Sequence, residues 1–525
     1  MSLVRSFSSV GLLTLASRVF GFVRDMLMAR FIGASFASDA FLVAFRLPNM
    51  FRALFAEGAF SAAFVPMFNQ KVGENDGNLD PALRFAEDAL SVLLPILLIF
   101  TTIVMIWAGP AVLLLSGGFR DATPEEFAFA VELARIMFPY LLFISLVSLL
   151  GGILNSIGRF WVNAAAPILL NVTVIVAILL FNGPTPLDTA RVEAIAVTIS
   201  GFLQLLWLIF ACRRAGIRLK IRRPRLSPDV KRLLTLIWPA AAGAGAVQIN
   251  LLVSTALAAG FLPEGSVSYI YYADRLNQLP LGLIGIGLGT VLLPTIARMI
   301  SAGDQAGALD MQRRGLQLAM FLTLPATVAL MVSAEPIIRG LLQYGAFTEA
   351  DTAGSAMALA AFSLGLPAYI LVKVLTPAFH ARSDMKTPLR FALVAIAVNL
   401  IGNLTLIWPL QHVGPPLATA IASWVNVVLL YVALMRRGHF STDRKLNSHL
   451  FRLLVAAALM GVALLLINRL VEPMMARTFE WRIAGLVLLV GGGVAVYAAA
   501  TFATRAFTIA ELKSLLRRRQ RPKES

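Results

Sequence analysis

The chain carries FPYLLFISLVSLLGGILNSIGRFWVNAAAPILLN at Phe138–Asn171 and, 228 residues later, LPAYILVKVLTPAFHARSDMKTPLRFALVAIAVN at Leu366–Asn399. The offset aligns Pro139 with Pro367, and with one gap it also aligns AFRLPN with ADRLNQ. Both stretches contain apolar runs of the length that suits helices crossing a bilayer. A fixed long period in such a chain indicates a duplicated bundle of membrane-spanning helices.

The composition excludes an ordinary soluble protein. Apolar residues make up 58% of the chain and charged residues 14%, and the mean hydropathy is +0.79. A soluble protein is about 45–50% apolar and about 25% charged. We therefore predict an all-α integral membrane protein, because a β-barrel would show short alternating strands instead. The fourteen predicted membrane segments are 8–31, 37–68, 86–116, 127–155, 159–182, 190–212, 232–261, 265–297, 312–343, 354–381, 387–408, 414–436, 449–470 and 482–504.

The repeat and the segments together predict the domain organisation. Each repeat contains six segments, an even number, so the two bundles should have the same orientation in the membrane and enclose a central cationic cavity. Two further segments follow the second bundle. The predicted domains are an N-terminal bundle (1–212), a basic linker (213–231), a C-terminal bundle (232–436), two extra membrane helices (437–506) and a basic tail (507–525).

The net charge of +17 is concentrated between the apolar segments. Residues 213–232 contain nine lysines and arginines, and further basic clusters follow segments 12 and 14. The connections after segments 7, 9 and 11 contain neither residue type. By the positive-inside rule, we expect both termini and the linker in the cytoplasm. The basic clusters thus favour contact with anionic membrane lipids over binding to nucleic acid.

The first two segments contain charges that a bilayer does not accept without compensation. The first carries Arg18 and Arg24, and the second carries Arg46, Arg52 and Glu57. A charge at the bilayer centre costs at least ~2.5–3.5 kcal/mol, so each should face water or a partner. The two segments hold five arginines and three acids, so internal pairing leaves a positive surplus. This surplus predicts a cavity that receives an anionic substrate.

The sequence has few of the cysteine and histidine residues that catalytic and metal sites commonly use. Cys212 is the only cysteine, which excludes an intramolecular disulfide and argues against a cysteine-based metal site. The four histidines are scattered, and the sequence contains no HExxH pair, nucleotide-binding glycine loop or nucleophile elbow. We therefore predict a protein that is not an enzyme and that has no catalytic residues, metal or cofactor.

Four stretches of the sequence resemble one known family. They are SRVFGFVRD at Ser17–Asp25, SDAFLVAFRLPNMFRALFAEGAFSAAFVP at Ser38–Pro66, GSVSYIYYADRLNQLPLG at Gly265–Gly282 and LLQYGAFT at Leu341–Thr348. Together they are similar to the MurJ (MviN) lipid II flippases of the multidrug/oligosaccharidyl-lipid/polysaccharide exporter superfamily. The resemblance extends over essentially the whole chain, including the two C-terminal segments.

The resemblance implies a substrate and a mechanism. Such flippases move lipid II, a polyprenyl pyrophosphate-linked disaccharide pentapeptide, to the outer leaflet of the bacterial inner membrane by alternating access, for peptidoglycan synthesis, cell wall biogenesis and cell shape. Lipid II and membrane lipids are the implied partners, with cell-wall synthesis proteins as further candidates. The last two helices would hold the lipid tail, and Leu453–Leu466 and Ile483–Ala500 are indeed free of charged residues.

The resemblance also assigns roles to individual residues. The family's functional arginines fall on Arg18, Arg24, Arg52 and Arg275, and arginine suits a phosphate because its planar fork donates two parallel hydrogen bonds. Arg46 is either a structural partner of Glu57 or a substrate contact, and Lys373 either binds substrate or snorkels. We expect Asp25 and Asp39 to orient arginines. The full supporting set is Asp25, Asp39, Arg46, Asn49, Glu57, Asp274 and Lys373.

Two sources of energy are open. The inside of a bacterial cell is electrically negative, so moving negative charge outward is favoured by ~2.3 kcal/mol per charge per 100 mV. The membrane potential alone could therefore drive a pyrophosphate headgroup across the membrane. The resemblance also suggests a monovalent cation, with Asn250, Asn399 and Asn403 as candidate ligands. For Asn399 and Asn403, which share a helix face, interhelical hydrogen bonding is the alternative.

Three other functions compete with the flippase hypothesis. Another exporter of the superfamily, for drugs or a different lipid-linked sugar, is the nearest, but a cationic-drug exporter should line its cavity with acids. A membrane enzyme acting on a polyprenyl phosphate would need clustered acids or histidines. A scaffold for cell-wall assembly would leave the buried charges unexplained.

Overall fold

The computed structural model describes residues 3–55 and 59–506. Over these residues the regular structure is helical, which confirms the predicted all-α class; a single 3-10 turn lies at Gln411–Val413. Predicted site residue Glu57 and the basic tail 507–525 lie outside the described residues. The helices are α1 (Leu3–Ile32), α2 (Phe36–Phe55), α3 (Ala59–Gly73), α4 (Asp80–Ile106), α5 (Ala108–Ser116), α6 (Pro124–Met137), α7 (Pro139–Ser156), α8 (Phe160–Phe181), α9 (Pro186–Arg214), α10 (Pro228–Phe261), α11 (Ser266–Ser301), α12 (Gln305–Val332), α13 (Ala334–Leu342), α14 (Glu349–His380), α15 (Lys386–Leu410), α16 (Gly414–Arg436), α17 (Arg444–Met475) and α18 (Phe479–Ala503).

Ten helical stretches within the described residues are long and apolar enough to cross a membrane. Two of these stretches, Pro124–Ser156 and Lys386–Arg436, each contain two consecutive helices. Helices α1 and α2 are not among the ten. The multi-span helical class is thus confirmed, whereas the count of fourteen crossings stays a prediction.

Prolines divide two of the predicted segments. The third segment breaks after Ile106, where α4 ends, and the ninth breaks after Val332, where α12 ends. Pro110 and Pro336 each lie four residues beyond these ends. A proline ring clashes with the carbonyl four residues earlier and cannot donate to it, so the helix stops there. Each of these two segments therefore consists of two helices, as does the fourth segment, 127–155, which contains α6 and α7.

The chain forms two compact units, which we describe separately. The first unit comprises Met1–Tyr269 and Leu342–Asp351. Its α1 packs on α8, both α7 and α8 pack on α9, and α10 packs on α3 and α5. Phe64 of α3 stacks on Phe60 and on Phe85 of α4, with ring centroids 5.3 and 5.4 Å apart. This aromatic core holds α3 against α4.

Two loops of the first unit make reciprocal contacts between the repeats. The loop after α5 lies on the end of α10, where the Arg120 amide donates to the Ala259 carbonyl at 3.3 Å. The loop after α13 lies on the end of α1, where the Ala346 amide donates to the Arg30 carbonyl at 2.8 Å. Gly345 has φ +62°, and a Cβ there would stand 2.3 Å from the Arg30 carbonyl oxygen. Only glycine permits both the left-handed backbone and this close approach.

The second unit comprises Ile270–Leu341 and Thr352–Ser525. Helices α17 and α18 pair with each other, and α17 packs on α12. Tyr497 of α18 donates its hydroxyl to the Phe321 carbonyl of α12 at 2.9 Å. Other faces of α17 and α18 carry exposed apolar side chains such as Leu465 and Val494. Such a surface suits contact with hydrocarbon; the lipid-tail groove stays a prediction.

The compact units do not follow the predicted domain boundaries. Helix α10 belongs by contact to the first unit, through its packing on α3 and α5. The sequence repeat instead assigns α10 to the C-terminal bundle, residues 232–436. The compact units are defined by contacts between residues, whereas the predicted domains are defined by the sequence repeat. The contacts therefore do not test the repeat-based boundaries, which stay a prediction.

Candidate functional site

Arg24 lies in a buried polar cluster between α1 and α8. Its Nε and Nη2 donate to Asp25 Oδ1 at 3.1 and 2.7 Å, and its Nη1 donates to Asn171 Oδ1 at 3.2 Å. Asn171 in turn donates to the Ser17 carbonyl at 3.0 Å. Burial of a charge is costly unless the charge is paired and hydrogen-bonded, and this cluster provides both. Arg24 is therefore fixed in position, with Asp25 as the acid that orients it.

Glu193 of α9 is a member of this site that the sequence prediction missed. Only 1% of its surface is exposed, and it lies within electrostatic range of Arg24 and Asp25. The cluster thus draws on three helices, α1, α8 and α9. A signal was available in the sequence, because Glu193 is an acid inside an otherwise apolar run, the same criterion that singled out the arginines.

The other predicted arginines of the first unit have different surroundings. Arg18 is exposed on α1. Arg46 of α2 donates to the Leu251 carbonyl of α10 at 3.4 Å, and Arg52 donates from Nε to Asn49 Oδ1 at 2.9 Å. The Asn49 contact holds one edge of the Arg52 guanidinium. The pairing of Arg46 with an acid at position 57 stays a prediction.

Asp39, which the sequence grouped with the arginine-orienting acids, binds backbone amides. Its Oδ2 accepts from the Gly265 amide and its Oδ1 from the Ser268 amide, both at 2.8 Å. Reciprocally, Glu264 Oε1 accepts from the Phe36 amide at 2.6 Å. The first amides of a helix have no partner within the helix, so these carboxylates cap the starts of α11 and α2.

Arg275 belongs to the second unit, on α11. Its Nε and Nη2 donate to the Tyr271 hydroxyl at 3.1 and 3.0 Å. Asp274 accepts from the Gln278 side chain at 2.5 Å. The i,i+4 spacing of both pairs places each along one face of α11. This face of α11 therefore carries the Arg275 guanidinium, the Asp274 carboxylate and the Gln278 amide.

Lys373 is exposed on α14 and lies over α11. A Cβ added at Gly285 would stand 2.8 Å from Lys373 Cδ and 3.0 Å from its Nζ. The missing side chain at Gly285 therefore makes room for the lysine. Its role in binding substrate stays a prediction.

The three asparagines proposed for a cation are divided between the units. Asn399 donates to Thr419 of α16 at 3.0 Å, and Asn403 donates to Asn399 at 3.1 Å. The bond to Thr419 joins α15 to α16, as the hydrogen-bonding alternative requires, and the bond between the two asparagines lies within α15. Asn250 lies in the first unit, on α10.

Sequence comparison with known proteins identifies the same family that the four sequence stretches resemble. The family model described as Lipid II flippase MurJ matches residues 28–484. The chain is similar to a probable lipid II flippase MurJ of Rhizobium tropici, with 42% identity over 526 residues, 99% of this chain and 98% of that protein. It is also similar to the lipid II flippase MurJ of Burkholderia cenocepacia, with 36% identity covering 83% of this chain and 85% of that one.

Solved structures show the same likeness. A structure of lipid II flippase MurJ in an inward closed conformation superimposes with a TM-score of 0.78 at 25% identity, covering 97% of this chain and 99% of that one. An inward-facing multidrug resistance MATE family transporter of the MOP superfamily gives a TM-score of 0.64 at 17% identity, over 81% of this chain and 96% of that one. At that identity the second likeness shows the fold alone.

Proposed function

Because the chain belongs to the MurJ family of lipid II flippases, we propose that it carries lipid II from the inner to the outer leaflet of the bacterial cytoplasmic membrane. The family consists of transporters, so the chain is not an enzyme. The ten apolar helical stretches within residues 3–55 and 59–506 suit a multi-pass membrane location. In this proposal the linker and both termini face the cytoplasm, on the strength of the positive-inside rule.

The headgroup of lipid II explains why this membrane protein has arginines within its apolar segments. A pyrophosphate and a disaccharide peptide would lose their hydration on entering hydrocarbon, at a cost of several kcal/mol for each polar group. A hydrated surface that carries positive charge avoids that cost and neutralises the phosphates. The polyprenyl tail is apolar and can remain in lipid during the transfer.

The observation that carries the binding proposal is the set of arginines in α1 and α2. Arg18 is exposed, Arg24 is held by Asp25 and Asn171, and Arg52 is held by Asn49. Residues already fixed by hydrogen bonds lose little freedom when an anion binds, which strengthens binding. We assign phosphate binding to Arg18, Arg24 and Arg52 of the first unit and to Arg275 of the second.

The energy for transfer is part of the same proposal. We take the membrane potential as the driver, since outward movement of a pyrophosphate moves negative charge toward the positive side. A monovalent cation is the alternative source, and the hydrogen bonds within Asn399, Asn403 and Thr419 favour a structural role for that cluster.

A reconstituted flipping assay tests the function. Proteoliposomes that contain the purified protein should transfer lipid II faster than protein-free vesicles. They should discriminate against polyprenyl pyrophosphates that carry other oligosaccharides. Equal transfer of all these lipids would point to another exporter of the superfamily, and no transfer of any would refute the proposal.

A further inference from the structure

A large apolar groove lies in the first unit, away from the arginines of α1 and α2. Helices α4, α7 and α9 and the start of the linker border a cavity of about 680 Å³. Its walls are leucine and isoleucine side chains, among them Leu94, Leu149, Leu205 and Ile209. A volume of this size and a mostly apolar lining are typical of ligand sites, whose volumes are roughly 300–1,000 Å³.

The linker forms one wall of the groove and is held there by specific bonds. Gly216, with φ +80°, turns the chain back after α9, and the Ile217 amide donates to the Cys212 carbonyl at 2.9 Å. The buried Glu87 of α4 accepts from the Lys220 amide at 3.0 Å and pairs with Arg222 at 2.6 Å. The wall is therefore an ordered part of the fold.

The rim of the groove is cationic. Arg213 and Arg218 are the charged members of its lining, and both are exposed. Residues 213–232 contain nine basic residues and a single acid, Asp229, which pairs with Lys71 at 2.8 Å. Glu87 is likewise engaged, by Arg222. The rim thus keeps a strong excess of positive charge.

We propose that this groove binds an anionic phospholipid, with an acyl chain between the leucines and the phosphate on Arg213 and Arg218. An apolar cavity beside two exposed arginines fits a ligand that is apolar at one end and anionic at the other. The acyl chain moves from hydrocarbon into an apolar groove, so the headgroup supplies the selectivity: the arginine forks match the phosphate oxygens. A free phosphate would satisfy the rim alone, and a zwitterionic lipid would lack the net charge. The lipid source is the leaflet beside the linker.

Binding to delipidated protein in detergent tests the site. Native mass spectrometry with titrated phosphatidylglycerol should show retained lipid, with phosphatidylcholine of the same chains bound at least tenfold more weakly. The double variant Arg213→Ala/Arg218→Ala should weaken phosphatidylglycerol binding by about tenfold or more. Arg214→Ala/Arg223→Ala is the matched control, because it removes the same charge from the same segment without touching the groove. This control should bind as wild type does.

A second measurement needs no variant. Cys212 lines the groove and is the chain's only cysteine, so bound phosphatidylglycerol should slow its reaction with a small thiol reagent. Glycerol phosphate at the same concentration should not. The proposal is overturned if both double variants weaken binding equally, if phosphatidylcholine binds as well, or if glycerol phosphate protects Cys212 equally. These readouts do not depend on lipid II transport.

Discussion

Arg18 and Arg24 lie on the same helix in different surroundings, so the same substitution should act on them in different ways. Arg18 is exposed, whereas Arg24 is 9% exposed and is bonded to Asp25 and Asn171. Loss of an exposed arginine removes a contact to the substrate. Loss of a buried one also removes the hydrogen bonds that hold its acidic partner.

Replacement of Arg18 by alanine should reduce lipid II transfer about tenfold or more while leaving stability unchanged. A charge-assisted hydrogen bond contributes about 1.5–3 kcal/mol, and the Arg18 side chain is exposed. Lysine should restore transfer only in part, because it keeps the charge but loses the fork. Initial rates in proteoliposomes measure the effect, with Arg314→Ala, an exposed surface-pair variant, as control. Wild-type rates for Arg18→Ala would remove Arg18 from the binding site.

Replacement of Arg24 by alanine should destabilise the protein by about 3–5 kcal/mol, because Asp25 stays buried while both hydrogen bonds from Arg24 are lost. The double variant Arg24→Met/Asp25→Leu should be markedly more stable than Arg24→Ala. Thermal unfolding in detergent of Arg24→Met, Asp25→Leu and their double variant gives the coupling between the two side chains. Additive effects would show that the pair does not act as a unit.

At the scale of elements, carboxylates connect the ends of different helices. Asp39 of α2 accepts from the amides that begin α11, and Glu264 accepts from the amide that begins α2. A second tie lies between α14 and α15, where Asp384 pairs with Arg437 at 2.6 Å and accepts from the Thr387 amide at 3.0 Å.

Asp39→Ala should lower the free energy of unfolding by about 1–2 kcal/mol, the usual cost of removing a helix cap. Asn at this position should recover part of the loss, because its single carbonyl oxygen can accept from one of the two amides. The midpoint of thermal unfolding measures both variants. An unchanged midpoint for Asp39→Ala would show that the cap does not contribute to stability.

The Asp384 tie should make stability depend on pH. Hydrogen bonds from Arg437 and Thr387 hold the pKa of the Asp384 carboxyl below its ordinary value of 3.8. A group with a lowered folded-state pKa stabilises the fold above its unfolded-state pKa, and this contribution is lost as pH falls below it. Asp384→Asn should therefore unfold at a lower temperature than wild type at pH 7, with a smaller difference at pH 3. Asp310→Asn, on an exposed surface pair, is the control; a difference that stays constant with pH would exclude the carboxylate as its cause.

Elements were predictable where the apolar pattern is strong and unbroken. The predicted segments 159–182 and 190–212 correspond closely to α8 and α9, Phe160–Phe181 and Pro186–Arg214. The division at Pro110 was missed because hydropathy averages over a single proline. Arg24 and Asp25 were recognisable as charges within an apolar segment, but the residues they contact were not. The bond from Arg24 to Asn171 and the place of Glu193 beside them depend on how α1, α8 and α9 pack, and no local pattern encodes that packing.

At the scale of the whole molecule, transport should respond to voltage. If the membrane potential drives the cycle, its collapse at constant sodium should slow lipid II transfer, since ~2.3 kcal/mol per charge per 100 mV would be lost. Proteoliposomes with a potassium gradient and valinomycin set the potential, and a voltage dye verifies it. Unchanged transfer after depolarisation would exclude the potential and direct attention to a cation at Asn399 and Asn403.

The reciprocal loop contacts have a consequence for ancestry. The loop after α5 contacts the end of α10, and the loop after α13 contacts the end of α1, so each repeat holds the other's first helix. In a progenitor with one repeat per polypeptide, both contacts would have joined two separate subunits. Such mutual pairing, in which patch i meets patch j and patch j meets patch i, is the signature of a twofold homodimer. Fusion of two such copies into one chain would turn an association that depends on concentration into an intramolecular one, and would allow the two copies to diverge.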